Sequence, residues 1–208
     1  MKNKNERLRI LVFSDEVFRR KGLYKTSMDE IAQMMQISKK TIYKHFPSKE
    51  TLIESACMHM FMEAENRVSE IIHARKSTVD KFVAILGEYS NDLCRVSEVW
   101  INDLQHHYPE IWKKIDEFRT DKVYKYAEKL LRQGRKENII HKYPYELIME
   151  SFIGGLRAVV NPQFLLRNNF SMNRALEAVY NIFLNGILTD EGKKIYEKNK
   201  KVNLSKIC

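Results

Sequence analysis

The chain contains few residues that interrupt or cross-link a fold: seven glycines, four prolines and three cysteines among 208 residues. So little glycine and proline favours long helices over many turns, and no run of alternating polarity predicts a strand. No apolar stretch approaches the roughly 18 residues of a membrane span, and the run from Ile10 to Phe13 is too short for a signal sequence. The cysteines, Cys57, Cys94 and Cys208, are odd in number and widely spaced, which is typical of a reducing compartment. We therefore expect an all-α protein in the cytoplasm, without a membrane segment.

Motifs of the common enzyme classes are also lacking. The sequence has no G-x-S-x-G, H-E-x-x-H, G-x-x-x-x-G-K-[ST] or G-x-G-x-x-G. His106 and His107 are adjacent, so on a helix they point about 100° apart, and no cysteine or carboxylate follows at a metal-ligand spacing. Cys57 and His59 are excluded for the same reason. We expect neither catalytic activity, nor a cofactor, nor a metal site.

The most informative stretch runs from Thr26 to Leu52 and predicts two short helices, a tight turn between them and the start of a third helix. The second short helix, Lys39 to His45, has an apolar inner edge that includes Ile42. Its outer edge consists of lysine, threonine, tyrosine and histidine. This is the layout of a helix-turn-helix whose second helix enters a DNA groove.

Capping residues mark each helix boundary in this stretch. Ser27 and Glu30 have the spacing of a capping box, in which each side chain accepts from the backbone N–H of the other. Ser38 is the predicted N-cap of the second helix. Pro47 ends that helix, because the residue before a proline avoids helical geometry, and Ser48 caps the next one.

Short groups of two or three residues within residues 10–50 resemble the pattern of a known protein family. They are Ile10-Leu11, Val17-Phe18, Lys21-Gly22, Thr26-Ser27, Ile37-Ser38-Lys39, Thr41-Ile42-Tyr43, His45-Phe46 and Ser48-Lys49-Glu50. In combination they resemble the DNA-binding domain of the TetR family of bacterial transcriptional regulators. Two positions depart from the family pattern: Gln36 stands where a glycine is frequent in the turn, and Lys40 where glycine or alanine is usual. Because glycine relieves a positive φ, Gln36 implies strain or a different turn.

Positive charge is concentrated at the two ends of the chain. Residues 1–50 hold 12 Lys and Arg against 6 Asp and Glu, residues 51–191 hold 18 against 20, and residues 192–208 hold 6 against 1. A basic N-terminal unit on a near-neutral body is the expected footprint of a protein that binds double-stranded DNA. We expect the lysine-rich C-terminal end to be a frayed, solvated tail, although a second DNA contact is the alternative.

The resemblance assigns DNA-contacting roles within the helix-turn-helix. Phosphate contacts are expected from Thr26 or Ser27, Tyr43 and Lys49, and a backbone contact from His45. The groove side of the second helix is expected to carry Ser38, Lys39, Lys40, Thr41 and Lys44. Lys39 or Lys40 suits guanine O6 and N7, and the Thr41 methyl suits a thymine methyl. The alternative for each of these residues is an ordinary exposed polar side chain that does not contact DNA.

Beyond the helix-turn-helix, the pattern predicts further helices separated by short breaks. They are expected over Ser48 to about Ala74, Thr78 to Arg95, Val99 to His107, Pro109 to Gly134, Pro144 to Val160 and Ser171 to Leu188. The domains implied are a DNA-binding unit at residues 1–50, a helical effector and dimerisation domain at residues 51–190, and a basic tail at residues 191–208.

Small residues on the last two of these helices allow another backbone to approach closely. In the family such helices pair across a two-fold axis, which implies a homodimer; packing within one chain is the alternative. The candidate interface residues are Gly154, Gly155, Ala158, Ala175, Ala178, Val179, Ile182, Phe183 and Gly186.

The middle of the chain is expected to hold an effector pocket if the resemblance extends that far. Its candidate lining is mainly aromatic, and aromatic residues at helical spacing serve equally as core: Tyr89, Trp100, Leu104, His107, Tyr108, Trp112, Phe118, Tyr124, Phe152 and Phe164. The implied function is a dimeric repressor of a palindromic operator, released by a small apolar or aromatic molecule. The alternatives are a ligand-independent regulator and a helix-turn-helix used for protein interaction. The basic outer edge disfavours protein interaction, because a helix docking on protein presents an apolar stripe.

Overall fold

The computed structural model describes residues 2–94 and 96–203, and in this part of the chain the fold is all-α, as predicted. The helices are α1 (Lys2–Lys21), α2 (Met28–Met35), α3 (Lys39–His45), α4 (Lys49–His73), α5 (Thr78–Cys94), α6 (Glu98–His107), α7 (Pro109–Lys136), α8 (Tyr145–Val159), α9 (Pro162–Asn168), α10 (Met172–Ile187) and α11 (Asp190–Asn203). The described residues form no strand beyond an isolated antiparallel bridge between Ile140 and Leu188.

The chain forms two compact units. The first unit comprises Met1–Glu63 and Arg95–Phe118, and so contains α1 to α3, the first part of α4, α6 and the start of α7. In this unit α1 packs on α2 and α6, and α2 packs on α3. Its core consists of fully buried apolar side chains, among them Ile10, Phe18, Leu23, Ile31, Ile42, Phe46, Leu52, Ile53 and Leu104.

The second unit comprises Ala64–Cys94 and Arg119–Cys208. Here α10 packs on α5 and α8, and α11 packs on α5. One apolar cluster runs through the unit and includes Leu86, Leu130, Met149, Leu184 and Tyr196. Burial of such side chains is the main stabilising contribution to a fold of this kind.

The sequence predicts a frayed, solvated tail at the C-terminal end, and this prediction is wrong. Residues 190–203 form α11, and Tyr196 of this helix is completely buried with its hydroxyl donating to Asn181 Oδ1 at 2.8 Å. Asn199 Nδ2 donates to Asp80 Oδ1 at 2.8 Å, which ties the helix to the start of α5. The lysines that suggested a solvated tail lie on a helix whose other face is apolar. Residues 204–208, with Cys208, lie outside the described part of the chain.

Two further details differ from the helices expected from the sequence. α7 does not end at Gly134 but continues to Lys136, and Gly134 is buried where a Cβ would collide with the Ile140 side chain. The break after Val160 contains α9, which begins at the N-cap Asn161, whose side chain accepts from the Phe164 N–H at 2.9 Å. Glycine at Gly134 therefore serves close packing rather than helix termination.

Candidate nucleic-acid interface

The predicted caps hold the helix-turn-helix in place. Ser27 Oγ accepts from the Glu30 N–H at 3.1 Å, and Glu30 Oε2 accepts from the Ser27 N–H at 2.9 Å, which completes the capping box. This bond from the Ser27 backbone also holds the pKa of the Glu30 carboxyl below its ordinary value. Ser38 Oγ caps α3 through the Thr41 N–H at 3.1 Å, and Ser48 Oγ caps α4 through the Thr51 N–H at 3.1 Å.

The turn between α2 and α3 places a non-glycine residue in the left-handed region. Gln36 has φ 56° and ψ 40°. Its N–H donates to Gln33 O at 3.1 Å, and the Ile37 N–H donates to Ala32 O at 3.0 Å. These two bonds form a Schellman motif, in which glycine is the usual residue at the left-handed position. The strain inferred from Gln36 is therefore present in the backbone.

The outer face of α3 is exposed and basic. Lys39, Lys40, Tyr43 and Lys44 are all exposed. Lys39 pairs with Asp29 of α2 at 2.6 Å and lies 5.9 Å from the centre of the Tyr43 ring. Both groups of this pair are more than half exposed, so water screens it and it contributes little to stability. The pairing raises the pKa of Lys39, so this side chain stays cationic.

The hydroxyl groups of Ser38 and Thr41 are bound to each other, 2.8 Å apart, at the start of α3. Ser38 is exposed and Thr41 half-buried. Because the Thr41 hydroxyl is already bound to Ser38 Oγ, the Thr41 methyl is the group of this residue best suited to touch a base.

Two residues predicted to touch the DNA backbone are turned inward. Thr26 is 1% exposed and its hydroxyl donates to Gly22 O at 2.8 Å, so this side chain holds the α1–α2 loop, and Ser27 remains the exposed candidate. The His45 side chain is 5% exposed and its Nε2 lies 2.9 Å from Glu6 Oε2. Neither the Thr26 hydroxyl nor the His45 ring is presented to a ligand.

The Glu6–His45 pair belongs to a contact between α1 and the end of α3 that the sequence pattern did not reveal. The Arg7 guanidinium lies 4.7 Å from the centre of the Phe46 ring and donates to Ser55 Oγ at 3.4 Å. Spacing within α3 carries no signal for partners on α1, because such contacts depend on how the helices pack. These contacts fix the last turn of α3 against α1.

Lys49, at the first position of α4, is half-buried. Its Nζ donates to Tyr24 O at 2.7 Å and lies 5.9 Å from the centre of the Tyr24 ring. Burial is the main influence on the pKa of Lys49 and lowers it, against the opposing attraction of Glu50 and Asp103. The ammonium group is thus held at one place on the surface of the first unit.

The α1–α2 loop is also bound to α6, and only one side of this contact could be recognised in the sequence. Gly22 belongs to the motif, but its partner Asp103 lies 81 positions away and matches no motif. Asp103 Oδ2 accepts from the Tyr24 N–H at 2.8 Å. The ring of His107 stacks on the ring of Tyr24, with centroids 3.9 Å apart and planes at 16°.

Six of the candidate effector residues lie in the first unit. Trp100 and Leu104 are buried, at 3% and 0% exposure. His107 is exposed and stacks on Tyr24, so its ring takes part in the α6–loop contact rather than lining a cavity. The remaining three are half-buried: Tyr108, Trp112 and Phe118.

The other four candidate effector residues lie in the second unit, and each is half-buried among aromatic or polar neighbours. Tyr124 donates its hydroxyl to Glu150. Phe152 packs edge-on against Tyr180, with centroids 6.1 Å apart. The last two are Phe164, whose ring stacks on Phe170, and Tyr89, whose pKa is raised by burial.

Charged groups that sequence reasoning missed lie beside Tyr89 in the second unit. Arg67 of α4 donates to Glu88 at 2.8 Å and to both oxygens of Asp92 at 2.6 Å. Glu65, two positions earlier on α4, accepts from the Tyr126 hydroxyl. The interior of this unit is therefore more polar than its aromatic content suggested.

The candidate dimer residues divide into two sets. Gly154, Ala158, Ala178, Ile182 and Gly186 are exposed, with Ile182 at 74%. A Cβ built on Gly154 or Gly186 meets nothing within 4 Å. The other set packs within the chain: Ala175 is buried, a Cβ on Gly155 would lie 3.7 Å from Val179, and Phe183 lies against Phe152. Ala175 is thereby removed from the candidate interface.

The described residues form neither a metal-binding cluster nor a membrane-spanning helix. They contain no group of three or more His, Cys, Asp or Glu side chains that is placed to hold a metal ion. None of their helices combines the length and the apolarity that crossing a membrane requires.

Comparison with known proteins places this geometry in a family. Residues 10–56 match the family model of bacterial regulatory proteins, tetR family. The chain is 23% identical over 185 residues to the uncharacterized HTH-type transcriptional regulator YvaF of Bacillus subtilis, covering 88% of this chain and 96% of that one. A transcriptional regulator of the TetR/AcrR family from Thermobifida fusca shares the fold, with a TM-score of 0.64, 23% identity and coverage of 88% of this chain and 98% of that one. So does a putative transcriptional regulator from Saccharomonospora viridis in complex with choline, with a TM-score of 0.68, 20% identity and coverage of 89% and 99%. The N-terminal domain of this chain, residues 10–56, therefore matches the tetR family of bacterial regulatory proteins, and the chain as a whole shares its fold with regulators of that family.

Proposed function

We propose that this regulator binds a palindromic operator as a homodimer, represses transcription from it, and is released by a small organic effector. The observation that carries the proposal is the exposed basic face of α3, with Lys39, Lys40 and Lys44 on a helix fixed by caps at its start and by α1 at its end. A rigid helix with cations on its outer face suits the major groove, because it brings donors to base edges and phosphates together.

Dimerisation is proposed because a single helix-turn-helix unit has only a small contact surface with DNA. A single module of this kind buries roughly 600–1,000 Å² on DNA, which is too little for tight specific binding. Two copies fixed by a rigid interface reach half-sites about 34–36 Å apart, one helical turn along the duplex. The exposed faces of α8 and α10, with Gly154, Ala158, Ala178, Ile182 and Gly186, supply a surface for that interface. Their small side chains allow the helices of two copies to approach closely.

An apolar or aromatic effector is proposed from the aromatic composition of the helices beyond α4. The half-buried carboxylates Glu65 and Asp92 beside Tyr126 and Tyr89 add organic cations to the compounds worth testing. The Saccharomonospora viridis protein that shares this fold was crystallised with choline. An effector that binds the two states with a difference of about 1–3 kcal/mol changes DNA affinity about 5–150-fold, and DNA changes effector affinity by the same factor.

The test begins with selection of duplexes from a random-sequence library by the full-length protein. Enrichment of an inverted repeat, salt-dependent affinity for it and elution of the free protein as a dimer are expected. Lys40→Ala is the matched variant, because its side chain is exposed: it should change the preferred bases and leave the elution volume unchanged. A monomer that enriches a single half-site would contradict the dimer. A protein that enriches no sequence would contradict the operator.

The effector is tested on the selected operator. Planar aromatic compounds and quaternary ammonium compounds, including choline, are screened for thermal stabilisation of the protein, and each compound that stabilises it is tested for release of the operator. Compounds that stabilise the protein and leave operator affinity unchanged would favour the alternative, a ligand-independent regulator. Specific retention of a partner protein, without DNA binding, would favour the interaction module.

A further inference from the structure

The backbone of the α1–α2 loop lies against α6 at Gly22. This glycine has φ +88°, in the region that favours glycine. A Cβ built on it would lie 2.7 Å from Asp103 Oδ2 and 2.9 Å from Val99 Cγ1. The loop backbone therefore rests directly on α6, with no room for a side chain between them.

Tyr24, two residues further along the loop, is held at both ends of its backbone. Its N–H donates to Asp103 Oδ2 at 2.8 Å, and its C=O accepts from Lys49 Nζ at 2.7 Å. Its ring stacks on His107 of α6, which fixes the residue against rotation. Asp103, Tyr24 and Lys49 thus form a continuous relay from α6 to the first turn of α4.

We propose that Asp103 is a positioning residue for DNA binding: through Tyr24 it holds the Lys49 ammonium at the point where a DNA phosphate is contacted. The proposal rests on the proposed function, in which Lys49 is a phosphate contact. A lysine side chain is long and loses much of its rotamer entropy when it is fixed. Fixing it in the free protein removes part of that cost from DNA binding.

The chemistry of the lysine ammonium allows both contacts at once. It has three N–H donors, and Tyr24 O takes one of them, which leaves donors for phosphate oxygens. Lys49 also lies at the N-terminal end of α4, next to the exposed Glu50. Without the bond to the Tyr24 carbonyl, the long lysine side chain would be free to adopt other rotamers.

The burial of Asp103 argues that its carboxylate serves more than packing. The residue is 7% exposed, and burying an ionised carboxylate is costly unless hydrogen bonds and charges compensate. Here the compensation comes from the Tyr24 N–H and from the positive charge of Lys49; burial lowers the pKa of Lys49, and the attraction of Asp103 partly opposes that shift. An apolar side chain of similar size would fill the same space without that cost, but it would leave the Tyr24 N–H without an acceptor.

The experiment is a double-mutant cycle on DNA affinity measured as a function of salt, with a random-sequence duplex as the probe. Each phosphate contact contributes about 0.9 to the slope of log affinity against log salt. Lys49→Ala should reduce this slope by about one per protomer, and Asp103→Ala should reduce it by the same amount. The double variant should match Lys49→Ala alone, because both changes remove the same contact. Asp103→Asn, which keeps an acceptor for the Tyr24 N–H, should restore most of the slope.

A stability control separates positioning from loss of structure. Ser97→Ala removes the N-cap of α6, whose Oγ accepts from the Trp100 N–H at 3.2 Å, without touching Tyr24. This variant should lower the melting temperature and leave the salt slope at the wild-type value.

The possible failures have different meanings. If Lys49→Ala lowers the slope and Asp103→Ala does not, or if the two effects add, the relay is refuted and the phosphate contact stands. If Asp103→Asn behaves as Asp103→Ala, charge rather than the hydrogen bond positions Lys49 and the relay through Tyr24 is refuted. If wild type shows no salt-dependent DNA binding, the proposed function itself is refuted. Should Asp103→Ala not fold, Asp103→Leu, which fills the same space without an acceptor for the Tyr24 N–H, takes its place, and the same outcomes support or refute the relay.

Discussion

Replacing Gln36 by glycine should stabilise the helix-turn-helix. A residue with an L side chain in the left-handed conformation of Gln36, φ 56° and ψ 40°, costs about 1–2 kcal/mol relative to the right-handed one. Glycine has no such penalty, but its freer unfolded chain costs about 0.4–1 kcal/mol. Taken from the middle of each range, the difference predicts a net stabilisation of about 0.5–1 kcal/mol.

The size of this effect depends on what else the substitution removes. The Gln36 side chain is exposed, and the bonds that form the turn come from the backbone N–H groups of Gln36 and Ile37. Glycine keeps both N–H groups. The substitution therefore isolates the strain of the backbone, without a lost contact to offset it.

The assay is native-state amide hydrogen exchange of α2, read residue by residue. An unfolding midpoint reports on both compact units together, whereas exchange reports on α2 itself. Exchange within α2 should slow by roughly two- to fivefold in Gln36→Gly, which corresponds to the free energy above. Gln36→Ala, which keeps the strain, is the matched control and should exchange as wild type. If glycine and alanine give the same rate, or glycine the faster one, Gln36 does not carry the strain assigned to it.

Three further changes test other parts of the molecule. The pKa of Glu30 is lowered in the folded protein, so its contribution to stability is present above the unfolded value, near 4.5, and is lost as the pH falls through the folded pKa. Glu30→Gln should therefore have a lower thermal stability than wild type at pH 7, and the two proteins should become equally stable in acid. Ala178→Asp should give monomers in sizing experiments, because a carboxylate buried without a partner is costly, and a stable dimer would place the interface elsewhere. Tyr196→Ala should destabilise the second unit by about 3–5 kcal/mol in denaturant unfolding, and Tyr196→Phe by about 1 kcal/mol for the lost bond to Asn181; a small effect of Tyr196→Ala would restore the frayed tail.

Features set by neighbouring residues could be predicted from the sequence. The capping box at Ser27 and the caps at Ser38 and Ser48 follow from hydrogen bonds across three positions, so a short stretch of sequence contains all their partners. The strain at Gln36 was accessible for the same reason. The all-α class followed from the scarcity of glycine and proline.

Features that depend on partners distant in the chain could not be predicted. Asp103 binds Tyr24 across 79 positions, and His45 binds Glu6 across 39. Nothing in the local spacing of either residue indicates such a partner. The packing of α11 could not be predicted either. Its many lysines suggested a solvated segment, whereas its packing depends on Tyr196, a single buried residue. The number of charged residues in a helix describes its exposed face and does not predict whether its other face is buried.

The side chains already bound within the protein narrow the choice of base-reading residues. One hydroxyl of the Ser38–Thr41 pair donates to the other, and the exposed groups with the most unused donors on the outer face of α3 are the ammonium groups of Lys40 and Lys44. An ammonium group donates and cannot accept, and in the major groove the strongest pair of acceptors on one base is guanine O6 and N7. We therefore expect guanine at a fixed position of each selected half-site, lost specifically in Lys40→Ala, with thymine beside it for the Thr41 methyl. Selected half-sites without guanine would show that the lysines contact phosphate, and that sequence is read by DNA shape instead.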